Sequence, residues 1–341
     1  MRGALVGFGF IGSKGHFPAY TEMPDVDIGA VCDTTPDRLA LLKAAYPHVH
    51  VYQNAEELLQ KEKIDFLDIC TPPSSHYPLA LSAAKRGIHV LCEKPLTATF
   101  EEADALLRAA EQYQVVIFPC HNYKHAPVVK AMQRVMEQNE IGKVQFMTLT
   151  TFRSAHAKGV SEWNNDWRRN TEYSGGGIVM DHGSHNIYLT FMFLGNFPTS
   201  VSAKIFHMNP RYATEDNCVC TLKFPNGYAT MHLSWTSGCR KIIYTLQGES
   251  GACKVEEDEL EVLGLDGHVK RKEHIQTDFN DTSHVGWFNS LFGQFKEAVH
   301  HKSYVNSELI EAHACMSVIH GIYTSSQLES KEVPIKNIFQ R

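Results

Sequence analysis

The 341-residue chain has no run of about 18 apolar residues, so no membrane-spanning helix is expected. Its nine cysteines are odd in number and include no C-x-x-C pair. Neither a disulfide framework nor a cysteine-based metal site is indicated. Several thiols lie in apolar runs (Val31-Cys32, Ile69-Cys70, Leu91-Cys92, Pro119-Cys120) and read as reduced, buried thiols of a cytosolic protein. Positive charge is not in excess. The 32 Lys+Arg stand against 38 Asp+Glu, net −6, so no nucleic-acid or polyanion surface is expected, although a local basic pocket remains open. Internal repeats, low-complexity stretches and flexible linkers are missing too. So is room for a signal peptide, because Ala4-Leu5-Val6 already reads as a buried strand. A cytoplasmic location is the expectation. What is present is an ordinary globular composition, 43% hydrophobic and 21% charged, and a length that suggests two domains.

Residues 1–122 alternate strand and helix patterns. Runs at 4–7, 28–33, 49–52, 64–71, 89–93 and 115–120 are short and continuously apolar, as strands buried on both faces are. Helical patterns separate them, one opened by Thr35-Pro36, others at 55–60, 79–86 and 101–112. Such alternation implies an α/β unit with a parallel sheet. Over residues 123–341 the period changes. A helix at 127–139 is followed by alternating runs at 144–153, 201–205, 217–224, 228–235, 242–247 and 260–263. Pro225-Asn226-Gly227 marks a hairpin. Helices are expected at 287–299 and 307–327. This second unit reads as α+β, its sheet mostly antiparallel with one solvated face. Lys270-Arg271-Lys272 reads as a solvated hairpin edge.

Gly7-Phe8-Gly9-Phe10-Ile11-Gly12 is G-x-G-x-x-G. It directly follows a predicted strand and opens a helix, with Asp33 at the end of the second strand. Gly7 allows the tight turn, Gly9 lets a pyrophosphate approach, and Gly12 lets the helix pack close. The helix N-terminus offers amide donors to phosphates. Asp33 can accept the ribose hydroxyls of NAD and repel the 2′-phosphate of NADP. NAD is therefore expected over NADP, although Arg38, one helical turn on, could reach a phosphate. At the end of the fifth strand Glu93-Lys94-Pro95 aims Lys94 into the cofactor crevice, because ligands bind beyond the carboxyl ends of such strands. The proline restricts the backbone of Lys94.

These motifs, with Thr71-Pro72-Pro73-Ser74-Ser75-His76, His121-Asn122-Tyr123 and Gly175-Gly176-Gly177…Asp181-His182-Gly183-Ser184-His185, fall in order along nearly the whole chain. Together they resemble the Gfo/Idh/MocA family, the glucose–fructose oxidoreductase and inositol dehydrogenase group. The resemblance implies a Rossmann domain over 1–122 and a substrate and oligomerisation domain with an open, mostly antiparallel sheet over 123–341. It implies NAD(P)-dependent oxidation or reduction of a sugar, aminosugar, sugar nucleotide or cyclitol. It also implies cofactor contacts from Thr71, Pro72, His76, Glu93 and Lys94 beside the glycine loop, Phe10, Ile11, Asp33 and Arg38. The Lys-Pro bond is commonly cis in the family. A homodimer or homotetramer through the open sheet is expected, since an unpaired sheet would expose a large apolar face.

Alcohol oxidation needs a hydride acceptor, a proton acceptor and a donor to the developing alkoxide. By resemblance Lys94, Asp181 and His185 serve with the nicotinamide. On a helix Asp181 and His185, four apart, share a face. His185 is read as the general base in oxidation and the acid in reduction, Lys94 as the donor to the reacting oxygen, and Asp181 as the group that holds a substrate hydroxyl. Some family members use the lysine as the base, and the sequence does not decide between Lys94 and His185. Alone, Asp181 could be a helix cap and His185 a core histidine. Asn122, Tyr123, Arg153, Trp167 and Arg168 are candidate substrate contacts, with Trp167 a sugar platform and Arg168 an anion or hydroxyl contact. Trp163 could equally pack at a subunit interface. His182 and His185 form H-x-x-H, but no third ligand appears at a suitable spacing, so no metal is expected. Two other readings compete. One is a glycosidase that oxidises its substrate transiently with bound NAD. The other is a non-catalytic dinucleotide sensor, which would not need Lys94 and His185.

Overall fold

The computed structural model describes residues 1–276 and 284–336. The first sheet holds β1 (Arg2–Val6), β2 (Asp27–Cys32), β3 (His50–Tyr52), β4 (Phe66–Ile69), β5 (His89–Cys92) and β6 (Ile117–Pro119). Their order is β3-β2-β1-β4-β5-β6 and every pair is parallel. The strands are the continuous apolar runs of the sequence, trimmed at their ends. Successive side chains enter opposite cores: Ala4 and Val6 one, Leu5 the other. The order reverses between β1 and β4, which opens a crevice beyond their carboxyl ends.

The face that takes Leu5 is closed from the far end of the chain. Helix Val285–His300 lays Phe288, Leu291, Phe292 and Phe295 against Leu5, Phe66, Leu91 and Phe118. Phe292 meets Tyr20 and Phe66 at ring distances of 5.1 and 5.4 Å. Each such side chain contributes about 1.5–3 kcal/mol when fully buried. The chain thus returns across residue 122 to finish its first half.

The second sheet has nine strands: β7 (Val144–Phe152), β8 (Ser200–Phe206), β9 (Asn217–Phe224), β10 (Gly227–Ser234), β11 (Lys241–Gly248), β12 (Gly251–Glu256), β13 (Glu259–Gly264), β14 (Val269–His274) and β15 (Val333–Pro334). Their order is β14-β13-β12-β11-β7-β10-β9-β8-β15. The 225–227 hairpin forms, pairing Gly227 with Phe224. One departure lies at the centre, where β7 and β10 run parallel. A long crossover through helix Ser184–Leu194 separates them, so no hairpin constrains their direction. The sequence reading also missed β12 and β15, and read β14 only as a hairpin edge. β12 carries Lys254 and Glu256 on its outward side, which weakens its apolar signal. β14 is the edge strand that holds Lys270–Lys272.

Helix Ser184–Leu194 lies on one face of this sheet. Its Asn186 exchanges hydrogen bonds with Thr151 of β7. The opposite face is mixed, with Phe152, Val219 and Ile243 among its polar residues. It presents Thr148, Thr150, Thr221, Thr230, Thr245, Lys223 and His232, with Tyr228 stacked on Phe146 at 5.0 Å. Threonine fits the pleat without demanding burial.

Candidate active site

Gly7 ends β1 with φ +95°, a conformation that glycine alone adopts freely, and a Cβ there would strike the Cys70 backbone at 2.8 Å. A Cβ on Gly12 would meet the Gly7 carbonyl at 2.3 Å, so the following turn packs hard on the strand. Gly9 faces open space, with only Arg38 Nη1 at 3.9 Å. The three glycines thus make a tight base and an open cradle, with Phe10 and Ile11 at its rim. A π-helical turn, Gly12–His16, follows before the α-helix Phe17–Thr21.

Asp33 is more engaged than expected. Its carboxylate accepts from the Phe8 amide (2.7 Å), the Thr35 amide (2.8 Å) and Arg38 Nη1 (3.0 Å). A carboxylate offers about four acceptor sites, so one is left for a ribose hydroxyl. Arg38 Nε and Nη2 are buried without a partner. Such orphaned donors, beside an open cradle and a spare carboxylate site, fit the ribose and phosphates of a dinucleotide. The residues expected to hold the cofactor, Gly7, Gly9, Gly12, Asp33 and Arg38, therefore come together at one crevice.

Two residues expected at the cofactor are buried and bonded to protein groups. His76 is fully buried, its ring nitrogens facing the Thr71 and Pro95 carbonyls at 2.7 and 2.9 Å. It ties the loop Thr71-Pro72 to the turn carrying Lys94. Glu93 accepts from the Lys94 amide (3.1 Å) and faces His16 Nε2 (3.2 Å), whose Nδ1 faces Asp68 (2.8 Å). Burial alone would lower the pKa of His16; Asp68 and Glu93 outweigh it and raise it to about 10. His16 is thus an imidazolium locked between two carboxylates. The Lys94–Pro95 bond is cis.

Lys94 reaches across the crevice to the second half of the chain. Its Nζ donates to Asp181 Oδ1 (3.0 Å) and to the Asp181 carbonyl (3.1 Å). Two of three ammonium protons are so placed, and the third remains for a ligand. Asp181 sits in a second π-helical turn, Val179–Gly183, that opens helix Ser184–Leu194. Burial pushes its carboxyl pKa up, but Lys94, His182 and Arg168 together hold it well below the usual range. His182 Nδ1 lies 3.1 Å from the Trp235 indole nitrogen and 3.2 Å from Asp181 Oδ2, and burial lowers the pKa of that imidazole.

His185 lies on the same helix, stacked on Tyr123 with ring centroids 3.9 Å apart. Its Nδ1 is 2.7 Å from the Tyr188 hydroxyl, which accepts from the Tyr123 amide (3.1 Å). Tyr188 is fully buried, and Nδ1 is the acceptor within reach of its proton among the described residues. The phenol therefore donates to Nδ1, which leaves the neutral ring protonated at Nε2. Burial and the Lys94 charge push the His185 pKa well below normal. The neutral ring thus presents an N–H at Nε2.

Asn122, next to Tyr123 in the chain, has a buried Oδ1 with no hydrogen-bond partner. Arg168 stacks on Trp167 (4.2 Å) with Nε 3.5 Å from Asp181 Oδ2. Trp167 also packs on Gly159, where a Cβ would meet its ring at 2.7 Å. Arg153 follows β7, its guanidinium bonded to the Phe152 carbonyl (2.8 Å). Trp163 packs edge-on against Tyr173 at 5.1 Å.

Sequence reasoning missed Glu215. Its buried carboxylate accepts from the Gly177 and Val179 amides (2.9 and 3.0 Å) and from the Tyr323 hydroxyl (2.8 Å). It pins the glycine run that delivers Asp181, and a Cβ on Gly177 would sit 1.9 Å from the Glu215 carbonyl. No local pattern announces it. Tyr188 was legible, three residues beyond His185 on one helix face.

Three groups of potential metal ligands occur among the described residues: His16, Asp68 and Cys70; His16, Glu93 and Cys120; His121, Glu308 and Glu311. The first two share His16, whose nitrogens already bond carboxylates. In the third, Lys124 bonds both Glu308 and Glu311 and occupies the cation's place. All nine cysteines are unpaired, and eight of them are buried.

Comparison with known proteins places this geometry. Relatives include D-apiose dehydrogenase of Paraburkholderia graminis, 30% identical over 67% of this chain and 59% of that protein's length. D-glucoside 3-dehydrogenase of Escherichia coli is 29% identical over 67% of this chain and 68% of that protein. The structure of levoglucosan dehydrogenase with NADH and levoglucosan superposes with a TM-score of 0.85 at 21% identity, covering 99% of this chain and 100% of that one. No helix of the described residues is long and apolar enough to cross a membrane. Residues 1–121 match the model described as an oxidoreductase family with an NAD-binding Rossmann fold, and 129–270 match the GFO/IDH/MocA C-terminal domain. With its glycine cradle facing the Lys94–Asp181 pair, the chain belongs to the Gfo/Idh/MocA family of NAD-binding oxidoreductases.

Proposed function

We propose that the protein moves hydride between NAD and a secondary hydroxyl or keto carbon of a sugar or cyclitol. One observation carries the reading. Lys94, at a strand end of the parallel sheet, bonds Asp181 of the other half at 3.0 Å across the crevice, beside an open glycine cradle. The relatives named as sugar dehydrogenases support the substrate class. Residues 1–122 would hold the cofactor, and 123–341 would shape the substrate site.

Bound nicotinamide supplies the hydride acceptor or donor. The chain's own residues handle the oxygen. Lys94 spends two protons on Asp181 and directs the third at the reacting oxygen. His185 adds its Nε2–H. Two aimed donors stabilise alkoxide character where it develops. In reduction Lys94 gives its proton to that oxygen. In oxidation the path runs backward: Lys94, having passed a proton to water, takes the one the hydroxyl loses. Asp181 fixes the ammonium and accepts from a neighbouring hydroxyl. Tyr123 holds the His185 ring by stacking.

The test is absorbance at 340 nm with NAD⁺ and a panel of sugars, sugar acids, sugar phosphates and inositols. NADH that appears with wild type and not with Lys94→Ala, which still binds NAD, supports the reading. NADH formation undiminished in the variant overturns it. The buried, unpaired thiols suit a cytosolic setting. We also propose a homodimer or homotetramer through the open sheet face around Phe146 and Tyr228, to be checked by solution mass.

A further inference from the structure

The groups around the reacting oxygen carry more positive than negative charge. Lys94 and Arg168 both lean on Asp181, and one carboxylate cannot balance two cations. Lys94 has the shorter contact, 3.0 Å against 3.5 Å. Arg168 Nε is buried with no hydrogen-bond acceptor. Its Nη1 reaches only the Ala157 carbonyl (3.3 Å) and its plane rests on Trp167.

Arg153 adds a third cation. Met147, Leu149 and Thr151 form the buried side of β7, and Thr151 bonds Asn186 of helix Ser184–Leu194. The Arg153 amide still bonds the Ser234 carbonyl of β10, so strand alternation extends to it and places it on that same side. Its charge is felt at His182, as is that of Lys94. Among the described residues no carboxylate forms an ion pair with it; its guanidinium bonds the neutral Phe152 carbonyl.

The surrounding acids are committed elsewhere. Asp166 bonds His156 and Lys158 (2.6 Å each). Glu215 holds the glycine run. Asp216 accepts from the Met208 and Asn209 amides (2.8 and 2.9 Å). His182 and His185 are neutral. A neutral polyol would need Asp181 and a few dipoles, and would leave Arg153 without an anion and Arg168 sharing Asp181 with Lys94. Guanidinium is the side chain whose planar fork matches carboxylate and phosphate.

We propose that the substrate carries an anionic group, a carboxylate or a phosphate, and that Arg153 and Arg168 bind it beside the Lys94–Asp181 pair. The inference rests on the dehydrogenase reading and narrows its substrate to acidic or phosphorylated sugars and cyclitols.

NADH-loaded protein is titrated calorimetrically with inorganic phosphate, D-glucose 6-phosphate, D-glucuronate and D-glucose, and the series is repeated without NADH. An anionic probe is expected to bind at least ten-fold tighter than D-glucose, and the better of the two sugar anions tells phosphate from carboxylate. Arg153→Gln and Arg168→Gln should each weaken anion binding about ten-fold, with NADH affinity and melting temperature unchanged. Equal binding of D-glucose, no binding by any anion at tens of millimolar, or anion binding indifferent to both substitutions overturns the proposal. Failure to bind NADH would sink the dehydrogenase reading on its own, and the series without NADH still decides the anion question.

Discussion

Two clusters of ionisable side chains lie back to back in this molecule, and they are built on opposite plans. Behind the crevice, His16 is closed between Asp68 and Glu93, both ring nitrogens engaged and the ring stacked on Phe288 at 4.1 Å. In front, Lys94, Asp181, Arg168 and His185 leave a proton, a guanidinium nitrogen and a ring N–H uncommitted. The closed cluster holds position; the open one has valence left for a ligand. Glu93-Lys94 joins them, one residue facing each way. Buried polar groups that satisfy one another stiffen a fold, and those left short point to what binds.

The contrast can be broken at the open side first. Lys94→Ala should lower kcat by roughly a thousand-fold, the scale of losing an aimed donor that also carries the proton. NAD binding, read by fluorescence titration, should persist. The closed side should fail differently. His16→Leu leaves Asp68 and Glu93 facing each other without their cation. A loss of about 3–5 kcal/mol in unfolding free energy is expected, as for other broken buried pairs, visible as a lower denaturation midpoint. A His16→Leu variant of unchanged stability would mean that the cluster is not charged.

The pH dependence sharpens the same comparison, because the two histidines have opposite signs. His16 has its pKa raised to about 10. Its contribution to stability is complete below the unfolded value of ~6.5 and is lost as pH rises through about 10. His185 is depressed, so the unfolded chain takes up the proton first and stability falls as pH drops below ~6.5. Denaturation midpoints should decline on both flanks, and His16→Leu should flatten the alkaline one. The smallest effect belongs to Tyr188→Phe. It should change kcat by roughly ten-fold or less and free the tautomer of His185. Nitrogen-15 spectra of labelled histidine should show an unprotonated Nδ1 in wild type and a mixture in the variant. A protonated Nδ1 in wild type would refute the donor assignment.

Much of this was legible in the chain. The glycine loop, Asp33 and Glu93-Lys94-Pro95 are contiguous signals whose meaning depends on local backbone, and the parallel sheet follows from continuous apolar strands. What escaped reading depends on distant partners. His16 sits 52 residues from Asp68 and Glu215 sits 38 from Gly177, so nothing nearby marks either. Asp33 could be read as a ribose ligand, but not the three donors that already crowd it. His76 and Glu93 fall inside cofactor motifs yet bond protein groups, because a motif gives the address of a side chain and not its rotamer. The parallel pairing of β7 with β10 escaped for the same reason: a strand's own pattern says which face is buried, not which neighbour runs alongside.

The late arrival of helix Val285–His300 also sets a timetable for synthesis. The parallel sheet is complete in sequence at residue 122, but the helix that seals Leu5, Phe66 and Phe118 ends 178 residues later. At about 5–20 residues per second, a nascent chain carries that aromatic face uncovered for roughly ten to thirty-five seconds. During that interval the ribosome-bound half is a sticky intermediate, and a shortened gene that stops before residue 285 would make the interval permanent.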